Sequence, residues 1–181
     1  MAKICWLGGV TGSHLWWQKM VLVGLSGLWF WLATSAPSHA LIRTISETPN
    51  QVVIQARHQL PDEERLTWQV ILFARPHQLQ LRLVGFPERY HFRHPQPLVL
   101  TTPDGQTWLA ADDFPKAATV ANVGQFDLLP LADELLPEGF PPKQPLRVTL
   151  PLVAGERHLT IPTAVLLEWQ EVIHQGKKLG A

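Results

Sequence analysis

The sequence reads Gln78-Leu79-Gln80-Leu81-Arg82-Leu83-Val84 over one short stretch, and this alternation of leucine with polar side chains decides the fold. A period of two is typical of a β-strand with one apolar face. Residues 65–73 repeat the pattern, except that Ile71 and Phe73 make the second face apolar as well. That pattern predicts a central strand, buried on both sides.

Turn chemistry separates the strands. Pro103-Asp104-Gly105 is a strong hairpin signal, because proline presets one turn angle and glycine accepts a positive φ. Residues 61–64 and 154–156 predict two further turns. Short strands with such turns indicate a mainly β fold, an antiparallel sandwich or open barrel. The other predicted strands lie near residues 52–57, 98–101, 107–109, 148–150 and 159–161.

The C-terminus is the exception, because its apolar residues recur at helical spacing. We predict an amphipathic helix that begins at Pro162 and ends at Gly176 as a C-cap. Its stripe is predicted to pack on the sheet or to close an open end of it, and docking of a partner is the alternative. A shorter helix is predicted within residues 129–136. The apolar stripe consists of Val165, Leu166, Trp169, Val172 and Ile173.

The first forty residues have the pattern of a cleavable secretory signal. No charged residue lies between Lys19 and Arg43, and residues 21–33 are an apolar run too short for a typical membrane span. Small residues at Ser38 and Ala40 predict cleavage between Ala40 and Leu41, which leaves residues 41–181 as a single β-rich domain. An uncleaved N-terminal anchor is the alternative. The domain itself has no predicted transmembrane span.

Composition excludes several classes of protein. Lys plus Arg is 15 and Asp plus Glu is 15, so no basic excess favours a nucleic-acid partner. The one cysteine, Cys5, precedes the predicted cleavage site, so the domain has neither disulfides nor a thiol nucleophile. Its one serine, Ser46, lies outside any nucleophile motif. The scattered histidines do not have zinc-ligand spacing, and the glycines form no phosphate loop, so we predict no metal and no cofactor.

Carboxylates are the remaining enzymatic possibility. Asp112-Asp113 and Asp133-Glu134 could supply an acid and a base for hydrolysis of envelope glycans, although adjacent acids are more often solvated loop residues. We predict that the protein is not an enzyme, since no sequence pattern brings these carboxylates together.

The most suggestive surface is residues 88–94. If this segment is extended, Arg89, His91 and Arg93 share one face and Tyr90 and Phe92 share the other. Such a basic face suits an acidic partner, because guanidinium forks bind carboxylates. A solvated outer face over two buried aromatics is the simpler interpretation. Since histidine gains charge near neutral pH, the partner hypothesis predicts tighter binding on acidification.

Five segments, taken in order, resemble a family of exported cyanobacterial proteins, the Domain of Unknown Function thirty-one twenty-two. The resemblance implies a cyanobacterial source, and therefore the periplasm or the thylakoid lumen as destination. It implies no activity, cofactor or catalytic residue. The segments are Trp68-Gln69-Val70-Ile71-Leu72-Phe73, Leu81-Arg82-Leu83-Val84-Gly85-Phe86-Pro87, Asn122-Val123-Gly124-Gln125-Phe126-Asp127-Leu128, Pro145-Leu146-Arg147-Val148-Thr149-Leu150-Pro151-Leu152 and Glu168-Trp169-Gln170.

These observations favour a non-enzymatic accessory or assembly protein that binds a membrane-protein complex from its periplasmic or lumenal side. A carrier of a small apolar ligand, with a cavity inside the β architecture, is the first alternative. A carboxylate-based hydrolase of envelope glycans is the second.

Overall fold

The computed structural model describes residues 42–48, 51–115, 120–139 and 142–180. The chain divides into two units, Met1–His39 and Ala40–Ala181, and the described residues belong to the second. The predicted signal peptide, residues 1–40, and its cleavage site between Ala40 and Leu41 lie outside them. Within the described ranges, no helix has both the length and the apolar character needed to cross a membrane.

The described residues form nine β-strands, one short α-helix with a 3₁₀ turn before it, and one long C-terminal α-helix. In chain order the strands are β1 (Arg43–Thr48), β2 (Gln51–Pro61), β3 (Thr67–Arg75), β4 (Gln78–Val84), β5 (Leu98–Thr101), β6 (Thr107–Asp112), β7 (Val123–Asp127), β8 (Leu146–Leu150) and β9 (Arg157–Ile161). The 3₁₀ turn is Leu129–Leu131, and the helices are α1 (Ala132–Leu135) and α2 (Thr163–Leu179).

The strands form one antiparallel sheet in the order β1-β2-β3-β4-β7-β6-β5-β8-β9. β6 belongs to both halves of this sheet: it pairs with β5 through Thr107 to Ala110 and with β7 through Ala111 and Asp112. The far end of the sheet returns to β2, because Asp62 forms a bridge with Leu159 of β9. The predicted mainly β class is confirmed. The bridge between Asp62 and Leu159 brings the last strand of the sheet beside the end of β2, as in an open barrel.

The alternation read from the sequence places one face of β3 and of β4 in the core. Trp68, Leu72 and Leu81 are fully buried. α2 lies against β2 and β3 and adds Trp169, which is also fully buried. Burial of a large apolar side chain contributes about 1.5–3 kcal/mol. The sheet and α2 therefore share one apolar core, as the sequence predicts.

The predicted end of the C-terminal helix is wrong. Gly176 is not a C-cap but lies inside α2, which continues to Leu179 and is capped by Gly180. Gly176 is there because the helix packs very closely on β3: a Cβ atom at this position would lie 2.6 Å from the Cβ of Ala74. The glycine thus serves contact between helix and sheet.

Candidate functional site

A buried carboxylate organises one end of the barrel. Asp62 follows β2, is 6% exposed and accepts four hydrogen bonds. Its Oδ1 accepts from the backbone N–H groups of Glu64 and Leu66, each at 2.9 Å. Its Oδ2 accepts from Trp68 Nε1 at 3.1 Å and from the Tyr90 hydroxyl at 3.0 Å. We call these side chains, Asp62, Trp68 and Tyr90, the Asp62 network.

Hydrogen bonding keeps this carboxylate charged despite its burial. Burial alone would raise the pKa of Asp62, but the bonds from Leu66, Trp68, Tyr90 and Glu64 outweigh it and hold the pKa below its ordinary value. The pKa of Tyr90 is raised, first by burial and then by the bond to the Asp62 carboxylate. The raised pKa keeps Tyr90 protonated, so its hydroxyl donates, and the lowered pKa keeps Asp62 ionised, so its carboxylate accepts. The bond between them therefore supports the structure.

The Asp62 network holds the segment that the sequence singled out. Residues 88–94 are not a regular strand: Phe92 forms one isolated bridge with Leu152. The predicted alternation is nevertheless present, since Tyr90 and Phe92 are buried while Arg89, His91 and Arg93 are exposed. The rings of Tyr90 and Trp68 pack together, with centroids 4.5 Å apart and planes tilted by 34°. We call the three exposed residues the basic strip.

Backbone hydrogen bonds fix the basic strip on both sides. The N–H of Phe92 donates to the carbonyl of Ala121 at 2.8 Å. The N–H of Arg93 donates to Pro151, and the carbonyl of His91 accepts from Val153, each at 2.9 Å. The side chains of the strip are therefore presented from a backbone whose position is set by its neighbours.

The charges around the basic strip are partly compensated. The guanidinium of Arg89 lies 3.5 Å from Glu64. Arg157, at the start of β9, contacts the same carboxylate. Two guanidinium groups thus share one carboxylate and retain one positive charge. The guanidinium of Arg93 donates to the backbone carbonyl of Val153 at 3.4 Å, a contact that leaves its charge uncompensated.

Each candidate catalytic carboxylate has a protein partner. Asp112 accepts from the backbone N–H of Phe114 and lies 2.6 Å from Nδ1 of His94. The side chain of Gln80 donates to Asp113.

The second pair is engaged in the same way. Lys177 Nζ lies 2.7 Å from Asp133, and the indole of Trp108 donates to Glu134 at 3.2 Å. These contacts are typical of carboxylates that support structure. Among the described residues, no group of three or more His, Cys, Asp or Glu side chains is placed to hold a metal ion.

Two cavities lie on either side of the C-terminal half of α2. The first, about 290 Å³, has an apolar floor that includes Ala74 and Ile173. The second, about 410 Å³, includes Leu167 and His174. Lys177 lines both cavities, and both open to solvent. They differ from the enclosed apolar cavity expected of a carrier.

Sequence reasoning identified the exposed residues of this region but missed the role of Asp62, which it assigned to a polar turn. The available signal was local: an aspartate at a turn often accepts a hydrogen bond from the backbone two residues later, as Asp62 does from Glu64. Its burial and its bond to Tyr90, 28 residues away, depend on tertiary contacts that no local pattern reports.

Fold and site together define an antiparallel β domain closed by a C-terminal helix, with a fixed basic strip at one end. The model of the family described as "Protein of unknown function (DUF3122)" matches residues 40–172. The chain belongs to this family, which confirms the resemblance of its sequence segments. Comparison with curated proteins and with solved structures gave no significant match.

Proposed function

We propose that this protein is a non-enzymatic accessory or assembly protein, exported in a cyanobacterium, that binds a membrane-protein complex from the periplasmic or thylakoid-lumenal side. The observation that carries this proposal is the basic strip, whose exposed Arg89, His91 and Arg93 stand over the buried Tyr90 and Phe92. A strip held in place loses little conformational freedom on binding, which favours affinity.

Apolar side chains beside the strip strengthen the proposal. Phe86, which begins the turn leading to Arg89, is 53% exposed. Val153, whose backbone is bonded to His91, is 58% exposed. Arginine and aromatic side chains next to each other are the composition of protein–protein binding hot spots. An acidic partner surface with an apolar pocket would match them.

Export is supported by the charge-free segment between Lys19 and Arg43 and by the apolar run at residues 21–33. The family match begins at residue 40, next to the proposed cleavage site after Ala40. The intact mass of the exported protein should correspond to a chain that starts at Leu41. A mass that starts at Met1 would instead indicate a chain anchored by its N-terminus.

The test compares capture of membrane proteins by the tagged full chain and by two variants. The double variant Arg89→Gln/Arg93→Gln removes two charges from the strip. Lys143→Gln/Lys178→Gln removes the same number of charges from exposed positions elsewhere. We expect a defined set of proteins from fractionated membranes to be captured by the parent chain and by the lysine variant, and lost with the arginine variant.

His91→Gln adds a second readout, because it changes the third residue of the strip, and it should weaken capture. Equal capture by all variants would refute a role for the strip. A ligand retained in native mass spectrometry, with no protein captured, would favour the carrier instead. Glycan hydrolysis by the parent chain would favour the hydrolase.

A further inference from the structure

The outer face of the sheet carries a row of four residues, three of them polar, on four neighbouring strands. In register across β2, β3, β4 and β7 lie Arg57, Ile71, Arg82 and Gln125. Neighbouring strands are about 4.8 Å apart, so the backbones of the two arginines, two strands apart, are about 10 Å from each other, with Ile71 between them. Ile71, on the strand between them, is 6% exposed.

A groove of about 400 Å³ lies over this row. This volume is within the range of about 300–1,000 Å³ that is usual for small-ligand sites. The described residues that line the groove include two arginines. We call it the arginine groove, and the side chains that matter here are Arg57, Gln69, Ile71, Arg82, Phe114 and Gln125.

Arg82 is held in position at the groove. Its Nε and Nη2 both donate to Oε1 of Gln125, at 3.0 and 2.7 Å. Its guanidinium carbon also lies 5.2 Å from the centroid of the Phe73 ring. Gln125 itself is 7% exposed, a buried amide on the outer face of a sheet. A guanidinium positioned in this way loses little freedom when it binds an anion.

We propose that the arginine groove binds a carboxylate-bearing sugar. Arg57 and Arg82 supply the guanidinium groups that recognise a carboxylate through paired hydrogen bonds. The amide of Gln69 supplies a donor and an acceptor for sugar hydroxyls. Phe114, which is half-buried, supplies apolar surface for the C–H face of a sugar ring. This site shares no lining residue with the basic strip and goes beyond the proposed function.

The test measures binding of D-glucuronate to the full chain by isothermal titration, with D-glucose as the uncharged counterpart and inorganic phosphate as the anion without a ring. We expect saturable binding of glucuronate, and affinities at least ~10-fold lower for glucose and for phosphate. Arg57→Gln and Arg82→Gln should each lower the glucuronate affinity by about 10- to 100-fold, the usual effect of losing a hydrogen bond to a charged group.

Arg147→Gln is the matched control, because Arg147 is an exposed arginine on β8, outside the groove. It should leave the glucuronate affinity unchanged. Arg57 is itself exposed, so Arg57→Gln tests the groove even if Arg82→Gln perturbs folding. Three results would each overturn the proposal: no saturable glucuronate binding, equal affinity for phosphate or glucose, or an affinity that Arg57→Gln does not change.

Discussion

Removal of the Tyr90 hydroxyl tests the Asp62 network most directly. Tyr90→Phe deletes one of the two donors to Oδ2 of Asp62 and keeps the ring that packs against Trp68. A hydrogen bond to a charged group contributes about 1.5–3 kcal/mol to stability. Because the ring is 3% exposed and its packing is unchanged, we expect the free energy of unfolding to fall by about this amount.

The assay is urea unfolding at pH 7, followed by tryptophan fluorescence and circular dichroism, with thermal unfolding in parallel. A loss of about 1.5–3 kcal/mol should lower Tm by roughly 5–10 °C in a domain of this size. The stability of the domain at acid pH gives a second readout. Since the pKa of Asp62 is held below its ordinary value, its contribution is present above about pH 4 and is lost as the pH falls through the folded-state pKa. Loss of one bond should start acid unfolding at a higher pH.

A double-mutant cycle with Asp62→Asn is the control. In the Asp62→Asn background the carboxylate is absent, so Tyr90→Phe should be less destabilising there than in the parent chain. The reasoning would be refuted by a Tyr90→Phe variant within about 0.5 kcal/mol of the parent, the usual range of neutral substitutions. Equal effects in both backgrounds would refute it as well.

Two further predictions concern α2. Gly176→Ala should destabilise the domain by about 1–3 kcal/mol through overpacking, because the new Cβ would lie 2.6 Å from that of Ala74. In urea unfolding, adding Ala74→Gly should restore part of the lost stability. A Gly176→Ala variant more stable than the parent would contradict the close contact. His58 of β2 is 9% exposed and lies 3.3 Å from Glu168 of α2, and burial lowers its pKa despite this carboxylate. Its folded state therefore favours the neutral ring, so urea unfolding should show full stability above about pH 6.5 and a decline as the pH falls below it. His58→Gln should flatten that decline, and a parent chain equally stable at pH 7.5 and 5.5 would count against the interpretation.

Sequence patterns predicted the strands that have a strong one-sided alternation, and they missed those whose apolar signal is weak. β1 was missed because Arg43–Thr48 carries one large apolar side chain, Ile45, on an end strand that is paired on one side only. β7 (Val123–Asp127) was not predicted as a strand either, since Gly124 disfavours a strand by propensity. The structure explains this glycine: a Cβ there would lie 2.7 Å from the Phe92 ring.

The candidate site was predictable in part for a related reason. Alternation between exposed and buried positions is a local property, so it identified Arg89, His91 and Arg93 correctly as exposed over two aromatics. The groove was not predictable, because Arg57, Arg82 and Gln125 are aligned only by strand register, and Gln125 comes from β7, 43 residues after Arg82.

The order of the strands has a consequence for how the chain folds. β4 joins β7, β5 joins β8, and Asp62 reaches Leu159, so the sheet closes through partners that are distant in sequence. Such pairings are slow to form, because loop-closure entropy is lost before their contacts stabilise the fold. α2, which follows the nine described strands in the chain, also supplies the fully buried Trp169. We therefore expect the nascent chain to stay unfolded until α2 has been synthesised, which would be compatible with the export proposed above.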